Sequence, residues 1–212
     1  MLPTILSKPR LADDVALGAR LAKMQERPIG PEDVADVLNT AKVKHVIVGA
    51  HATNGYTGRP RATVDVDVIA RFPKKAAQAI ARAFPHLKMQ DTPVVIRFKD
   101  QDREAIDVMK PIGSTLWSRL LEHGLQVRVG STGIRIPVLE GVLASKFAAM
   151  VSIHRRPGDK MIDGGDFIRM VEVNTVINLQ LLSELGDLVY PGGGKEILKL
   201  VADARAGKRI EF

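Results

Sequence analysis

The chain has 212 residues, of which 45% are hydrophobic and 26% are charged. This composition is typical of a soluble globular protein, and no segment approaches the roughly 20 consecutive apolar residues that a membrane-spanning helix needs. The N-terminal segment has too short an apolar core for a secretory signal, and no small-residue cleavage site follows it. We therefore expect a cytoplasmic protein without a membrane partner.

The chain has no cysteine and a formal net charge of +7. The lack of cysteine excludes disulfides, thiolate zinc sites and cysteine nucleophiles, so a bound metal would take oxygen or imidazole ligands. The positive charge favours an anionic partner such as RNA, DNA or a nucleotide, because a basic surface attracts polyanions over long range. A basic protein with no nucleic-acid role is the alternative, since net charge says nothing about specificity.

The first half of the chain combines helical and strand patterns. Apolar spacing and chain-breaking residues predict, in chain order, a helix over 11–26, a helix over 31–41, a strand over 43–48, a helix or loop over 50–61, a strand over 63–69 and a helix over 73–84. The following segments predict a hairpin of strands 94–98 and 105–109, a helix over 114–121 capped by Ser114, and a hairpin of strands 126–129 and 134–136. This order predicts a mixed β-sheet flanked by helices.

Strand patterns nearly vanish after Pro137. Helical spacing predicts four helices over 138–153, 165–173, 179–189 and 195–206. Three consecutive glycines at 192–194 predict a flexible break before the last helix. The predicted fold class is therefore α+β, with a sheet-containing domain over 1–136 and a helical C-terminal domain over 137–212.

Asp65 and Asp67 lie two residues apart in the predicted acidic strand. Because side chains two apart in a strand point to the same side, both carboxylates are expected on one face, while Val64, Val66 and Val68 enter the core. Such a pair suits a hard cation, Mg²⁺ or Mn²⁺, which also binds substrate phosphates. The motif predicts a divalent-cation site.

A third carboxylate, Asp107, is a lone acid between apolar residues on the predicted strand over 105–109. It is the best candidate for a further cation ligand, and its strand is a candidate neighbour of the strand that carries Asp65 and Asp67. The alternative is that these acids lie on a half-exposed strand face, where alternation of apolar and polar residues is ordinary.

Two features beside the acidic strand favour a phosphate ligand. Gly49 and Ala50 follow the predicted strand over 43–48, and small residues there let backbone amides approach a phosphate at the start of a helix. Arg59 and Arg61 stand just before the acidic strand, where they are placed to balance phosphate charge. The surroundings of the acids therefore predict a nucleotide site.

Three motifs follow one another between residues 49 and 107: Gly-Ala-His-Ala at 49–52, Arg-Ala-Thr-Val-Asp-Val-Asp-Val at 61–68, and the isolated Asp107. This order resembles the polymerase-β-type nucleotidyltransferase superfamily. It is most similar to small bacterial nucleotidyltransferases that include toxins of abortive-infection toxin–antitoxin systems, and a weaker similarity extends over 136–146 and 155–160. One departure is Ala50, which stands where those proteins have glycine or serine.

The resemblance implies a nucleotidyltransferase-type sheet followed by a helical domain. It implies Asp65 and Asp67 as metal ligands, Asp107 as a further ligand or general base, and Gly49 near the triphosphate. The reaction would be attack of an acceptor hydroxyl on the α-phosphate of a nucleoside triphosphate such as ATP, with release of pyrophosphate. Further phosphate or base contacts are implied for Lys146 and, as weaker candidates, for Arg59, Arg61 and Lys160.

The acceptor and the partners stay open at this point. The positive charge suits RNA such as tRNA, whereas some proteins of the superfamily modify a protein hydroxyl or an aminoglycoside, and a toxin would have a cognate antitoxin. A second hypothesis is a non-catalytic nucleotide-binding protein or antitoxin partner with the same fold. A third is a metal-dependent phosphohydrolase that uses the same acids on water.

The charged residues of the helical half also have a structural interpretation. Lys146 lies on an otherwise apolar helix, which indicates either a charge directed at a ligand or a stem at the edge of the core. An ion-pair network of acids and bases is expected after this helix, and a second metal site is the alternative. Its predicted members are Asp159, Asp163, Asp166, Lys160 and Arg169.

Overall fold

The structure is a computed structural model, and it describes residues 29–111, 113 and 115–208. The predicted helix over 11–26 and the predicted helix cap Ser114 lie outside the described residues. The described part contains both helices and strands, with a central mixed sheet flanked by helices and a helical segment after it, so the predicted α+β fold class is confirmed. Within this part, no helix is long and apolar enough to cross a bilayer.

Among the described residues, five strands form one sheet and two more form a separate hairpin. The strands are β1 (His45–Ile47), β2 (Val66–Ala70), β3 (Lys88–Asp91), β4 (Val95–Asp100), β5 (Arg103–Met109), β6 (Gly124–Val129) and β7 (Thr132–Pro137). The five-stranded sheet has the order β1-β2-β5-β4-β3, and β6 pairs with β7. β2 and β5 are parallel, whereas all other pairs are antiparallel. The large sheet is therefore mixed, as predicted.

The helices lie between the strands in the first half of the chain and follow one another in the second half. They are α1 (Pro31–Thr40), α2 (Gly49–Thr57), α3 (Pro73–Ala83), α4 (Thr115–Glu122), α5 (Leu139–Val151), α6 (Pro157–Val173), α7 (Leu179–Asp187) and α8 (Gly193–Arg205). A proline in the first turn begins α1, α3 and α6. Its missing N–H costs no hydrogen bond there, because the first helical N–H groups have no partner within the helix.

Two strands differ from the sequence prediction. The acidic strand β2 begins at Val66, because the chain bends at Val64 before strand pairing starts. Val64 is therefore 59% exposed and not part of the core, whereas Val66 and Val68 are fully buried. No pattern in the sequence predicts β3, since its four residues are all exposed and show no apolar alternation.

The helical half differs from the prediction at two points. The helix expected over 165–173 begins earlier, at Pro157. The sequence pattern did not indicate its first turns, because Gly164 and Gly165 have low helix propensity. The glycines at 192–194 are not a flexible break. Gly193 and Gly194 form the first turn of α8, and a Cβ atom on Gly193 would overlap the carbonyl oxygen of Gly186 in α7. These glycines therefore allow close packing of the last two helices.

The chain divides into two compact units. The first includes the chain up to Gly55 and Arg59–Pro137, and the second comprises Tyr56–Gly58 and the chain from Val138 onward. Each unit buries its own large side chains. Phe98 in β4 and Ile106 in β5 are fully buried in the first unit, and Phe147 and Phe167 are fully buried in the second. Burial of apolar surface of this kind is the main favourable term in folding.

Candidate functional site

The predicted acids lie on two neighbouring strands of the first unit. β2 and β5 run parallel, and Asp67 in β2 is directly opposite Asp107 in β5, as the prediction of neighbouring strands required. Because paired residues in adjacent strands point to the same face, these two side chains leave the sheet on one side. Asp65 lies one residue before β2 begins. The structure thus brings two of the three predicted acids into one pair, with the third beside it in the chain.

Gly49 lies against the carboxylate of Asp67. The backbone of Gly49 has a φ of +61°, and a Cβ atom built there would overlap the Asp67 Oδ2 atom and lie 2.8 Å from its Cγ atom. The preceding residue, Val48, donates its backbone N–H to the Asp67 carbonyl oxygen over 2.9 Å. Only glycine meets both requirements, a left-handed backbone and direct contact with a side chain. Gly49 therefore positions Asp67 at the start of α2.

The segment before β2 is fastened to α2. The Asn54 side-chain amide donates to the Arg61 carbonyl oxygen over 2.9 Å, and the Arg61 backbone N–H donates to the Asn54 Oδ1 atom over 3.0 Å. Two residues later, the Thr63 hydroxyl donates to the Asp65 Oδ1 atom over 2.9 Å. Asn54 and Thr63 are buried. These bonds fix the approach to the acids. The sequence assigned neither side chain a role: Asn54 belongs to no charged or apolar pattern, and Thr63 stands in the motif over 61–68 without a sign of its bond to Asp65.

The carboxylate of Asp107 is held by an arginine that sequence reasoning also missed. Arg97 in β4 is directly opposite Asp107. Its Nε atom donates to Oδ1 over 2.9 Å and to Oδ2 over 3.3 Å, and its Nη2 atom donates to Oδ2 over 2.7 Å. Asp107 is only 5% exposed. Both oxygens of the third predicted acid are therefore engaged by one guanidinium group.

Further acids contribute to the electrostatics around Arg97. The hydrogen bond with Asp107 raises the pKa of Arg97 above its ordinary value, although burial opposes this change. The negative charges of Asp107, Glu104 and Asp65 raise the pKa further. Glu104 also forms an ion pair with the Arg97 Nη1 atom over 2.5 Å. Arg97 therefore carries a permanent positive charge within the acidic group.

The remaining predicted phosphate contacts lie in both units. Ala50 is buried in α2, Arg59 is exposed and Arg61 is half-buried, all in the first unit. Lys146 and Lys160 belong to the second unit, on α5 and α6. Lys160 is half-buried and Lys146 is buried.

Lys146 is the centre of a buried ion-pair network. Its Nζ atom lies 2.8 Å from an oxygen of Asp163 and 2.8 Å from an oxygen of Asp166, and all three residues are buried. Arg155 donates its Nε–H to the second oxygen of Asp163 over 2.9 Å. Asp163 and Asp166 were expected in an ion-pair network, but with Lys160 and Arg169 as their partners. The central base instead comes from α5, because the two acids are three residues apart on the helix face that packs against it.

The donor atoms of the three acids suit Mg²⁺ or Mn²⁺, since carboxylate oxygens are the ligands that these ions prefer. Their positions, however, do not form a site with three protein ligands. In the described part of the chain, no group of three or more His, Asp or Glu side chains is arranged to hold a metal ion. The bonds between Arg97 and Asp107 offer a physical reason, because they engage one of the three predicted ligands.

Comparison with known proteins gives structural neighbours but no family. The sequence matches no family model and no curated protein. An antigenic nucleotidyltransferase-like protein from Paracoccidioides brasiliensis has 16% identity and a TM-score of 0.49, over 92% of this chain and 94% of that chain. JHP933 from Helicobacter pylori has 14% identity and a TM-score of 0.49, over 91% of this chain and 92% of that chain.

A third solved structure is that of the antibiotic-resistance factor ANT(2'')-Ia. It has 11% identity and a TM-score of 0.49, over 82% of this chain and 94% of that chain. These identities and TM-scores are too low to assign the chain to a family. A function therefore has to be inferred from the residues of the chain itself.

Proposed function

We propose that this protein is a metal-dependent nucleotidyltransferase that transfers a nucleoside monophosphate from a nucleoside triphosphate to an acceptor hydroxyl. The observation that carries the proposal is the pairing of Asp67 with Asp107 on adjacent parallel strands, with Gly49 in contact with Asp67. Two carboxylates on one sheet face can hold a divalent cation, and a helix N-terminus beside them favours a phosphate, so the arrangement supports phosphoryl transfer.

The proposed reaction is an in-line displacement at the α-phosphorus atom. The acceptor oxygen forms a bond to this atom, the bond to the oxygen that bridges the α- and β-phosphates breaks, and pyrophosphate leaves. The proton of the acceptor hydroxyl passes to a carboxylate, for which Asp107 is the candidate. A bound divalent cation would neutralise the charge that develops on the phosphate oxygens.

Four basic residues are proposed as contacts of the nucleotide: Arg59, Arg61, Lys146 and Lys160. Gly49 and Ala50 would lie near the triphosphate at the start of α2, where a helix N-terminus favours negative charge. Of the two lysines, Lys160 suits this role better, because the Lys146 amino group already has two carboxylate partners. RNA such as tRNA is the proposed acceptor, since the net charge of +7 favours a polyanion. A toxin role with a cognate antitoxin, in the cytoplasm, is part of this proposal.

A transfer assay tests the proposal. The protein is incubated with Mg²⁺, each α-labelled nucleoside triphosphate in turn, and either total RNA or no RNA. We expect label on RNA, loss of label with a chelator, and at least about a hundredfold loss in Asp65→Asn and Asp67→Asn. Asp102→Asn is the matched control, because Asp102 is exposed in the turn between β4 and β5. Label on the protein itself would redirect the acceptor. The absence of label in every condition, or equal label in all variants, would refute the proposal.

A non-catalytic nucleotide-binding or antitoxin-partner role is the second candidate. It is favoured by the arginine bound to Asp107, since a binding protein has no need of a free third carboxylate. Equilibrium binding of a fluorescent nucleoside triphosphate separates the two functions. Binding without transfer, unaffected by Asp67→Asn, would support the second candidate, whereas transfer that depends on Asp67 would exclude it.

A further inference from the structure

Arg97 and Asp107 are joined in a side-on, two-point interaction. Nε and Nη2 of the guanidinium group each donate to the carboxylate, at 2.9 and 2.7 Å, so each oxygen receives at least one hydrogen bond. Such charge-assisted pairs are about twice as strong as hydrogen bonds between neutral groups. Because Asp107 is buried, water replaces little of this interaction.

The guanidinium group and a divalent cation compete for this carboxylate. A cation ligand has to offer an oxygen lone pair at about 2.0–2.1 Å for Mg²⁺, and a second positive charge at that distance would be repelled by Arg97. Arginine stays protonated in proteins, so it does not lose its charge to make room. Cation binding by Asp107 is therefore stronger when Arg97 gives up its two hydrogen bonds.

Arg97 has a second carboxylate to which it stays attached. Its Nη1 atom lies 2.5 Å from an oxygen of Glu104, and this pair is at the more exposed end of the contact, with side chains 30% and 40% exposed. Asp107 and Glu104 both belong to β5 and lie on either side of a register shift in the β4–β5 pairing. The guanidinium group can thus leave the buried acid without losing all of its partners.

We propose that Arg97 closes the acidic group to divalent cations by competing for Asp107, and that displacement of Arg97 toward Glu104 opens this ligand to the cation. This inference rests on the proposed function, because it takes the three aspartates as cation ligands. It assigns to Arg97 a positioning role. While Arg97 is bound to Asp107, it lowers the affinity of the nucleotide-free protein for the cation.

Binding of Mn²⁺ to the nucleotide-free protein, followed by the electron paramagnetic resonance signal of the unbound ion, tests this role. We expect Arg97→Met to bind Mn²⁺ about tenfold more tightly than the parent, or more, because the bonds that compete with the ion are gone. Arg97→Lys should also bind more tightly, since lysine keeps the charge but lacks the two-point fork. Asp107→Asn combined with Arg97→Met should remove the gain.

Two control variants separate this effect from a change in net charge. Arg103→Met removes one positive charge from the same hairpin, at an exposed position of β5, and should leave Mn²⁺ affinity close to that of the parent. Glu104→Gln removes the second anchor of Arg97 and should weaken Mn²⁺ binding. Circular dichroism checks that each variant is folded. If Arg97→Met does not fold, Arg97→Lys replaces it in the binding test.

The outcomes that would overturn the inference are distinct from those that refute the transferase. Unchanged Mn²⁺ affinity in both Arg97 variants, a gain that survives Asp107→Asn, or an equal gain in Arg103→Met would each overturn the closure by Arg97. The same holds if neither the parent nor any Arg97 variant binds Mn²⁺. The label-transfer assay is independent of these results, so transfer that depends on Asp67 would stand even where the closure fails.

Discussion

At the scale of single residues, Gly49 is constrained both by its backbone conformation and by its contact with Asp67. Alanine at this position would need a φ of +61° and would also push against the carboxylate of Asp67. We expect Gly49→Ala to reduce the free energy of unfolding by about 1–3 kcal/mol. We also expect it to abolish nucleotide transfer, because Asp67 has to move. Urea unfolding and the label-transfer assay measure the two effects.

The first hairpin glycine after β6 provides a matched control for Gly49. Gly130 has a φ of +60°, but a Cβ atom there would meet no atom within 4 Å. Gly130→Ala therefore retains only the backbone strain, about 1–2 kcal/mol, and should leave transfer unchanged. Equal activity of the two variants would show that the contact between Gly49 and Asp67 has no role in the site.

At the scale of elements, Lys146 links α5 to α6. Lys146→Met would leave Asp163 and Asp166 buried without their central base, and breaking a buried ion pair from one side costs about 3–5 kcal/mol. We expect a loss of this size in urea unfolding. Lys199→Met is the control in the same unit, because Lys199 is 75% exposed in its pair with Asp203 and should make no measurable difference.

The Lys146 variant also separates the structural role from the nucleotide contact that the resemblance implies. A stable Lys146→Met protein with a raised KM for the nucleoside triphosphate would support the nucleotide contact. A destabilised protein with an unchanged KM, measured below its unfolding temperature, would support the ion-pair network alone. A loss of stability no larger than that of Lys199→Met would contradict the structural prediction.

The β4–β5 hairpin shows which part of the site the sequence predicts and which part it does not. The two strands and their turn follow from apolar alternation and turn residues, whereas the neighbouring position of β2 was only a candidate placement, which the pairing of β2 with β5 confirms. The arginine partner of Asp107 does not follow from these patterns. Counting back evenly from the turn places Arg97 opposite Ile106, whereas the register shift at Phe98 and Lys99 moves it by one residue to Asp107. Beyond a β-bulge, each residue points to the sheet face opposite to the one that regular alternation predicts. No residue pattern in this hairpin indicates a bulge.

The helical half fails to follow the sequence pattern for a different reason. Glycines indicated a late start for α6 and a flexible break before α8, as their low helix propensity suggests. In the structure, Gly193 and Gly194 are needed because α7 approaches too closely for a side chain. Packing between helices therefore overrides local propensity, and a single sequence does not reveal which glycines serve that purpose.

At the scale of the whole molecule, the net charge of +7 makes the proposed RNA acceptor testable by salt. Each phosphate that the protein neutralises releases counterions, so the affinity for RNA falls steeply as salt rises. We expect the KM for RNA to increase at least about tenfold between roughly 50 and 200 mM salt. The KM for the nucleoside triphosphate should change much less, because it carries fewer charges over a shorter length. Initial rates of label transfer at several salt concentrations, with one substrate saturating, measure both quantities. A KM for RNA that is insensitive to salt would contradict a polyanionic acceptor and favour a protein hydroxyl or a small molecule.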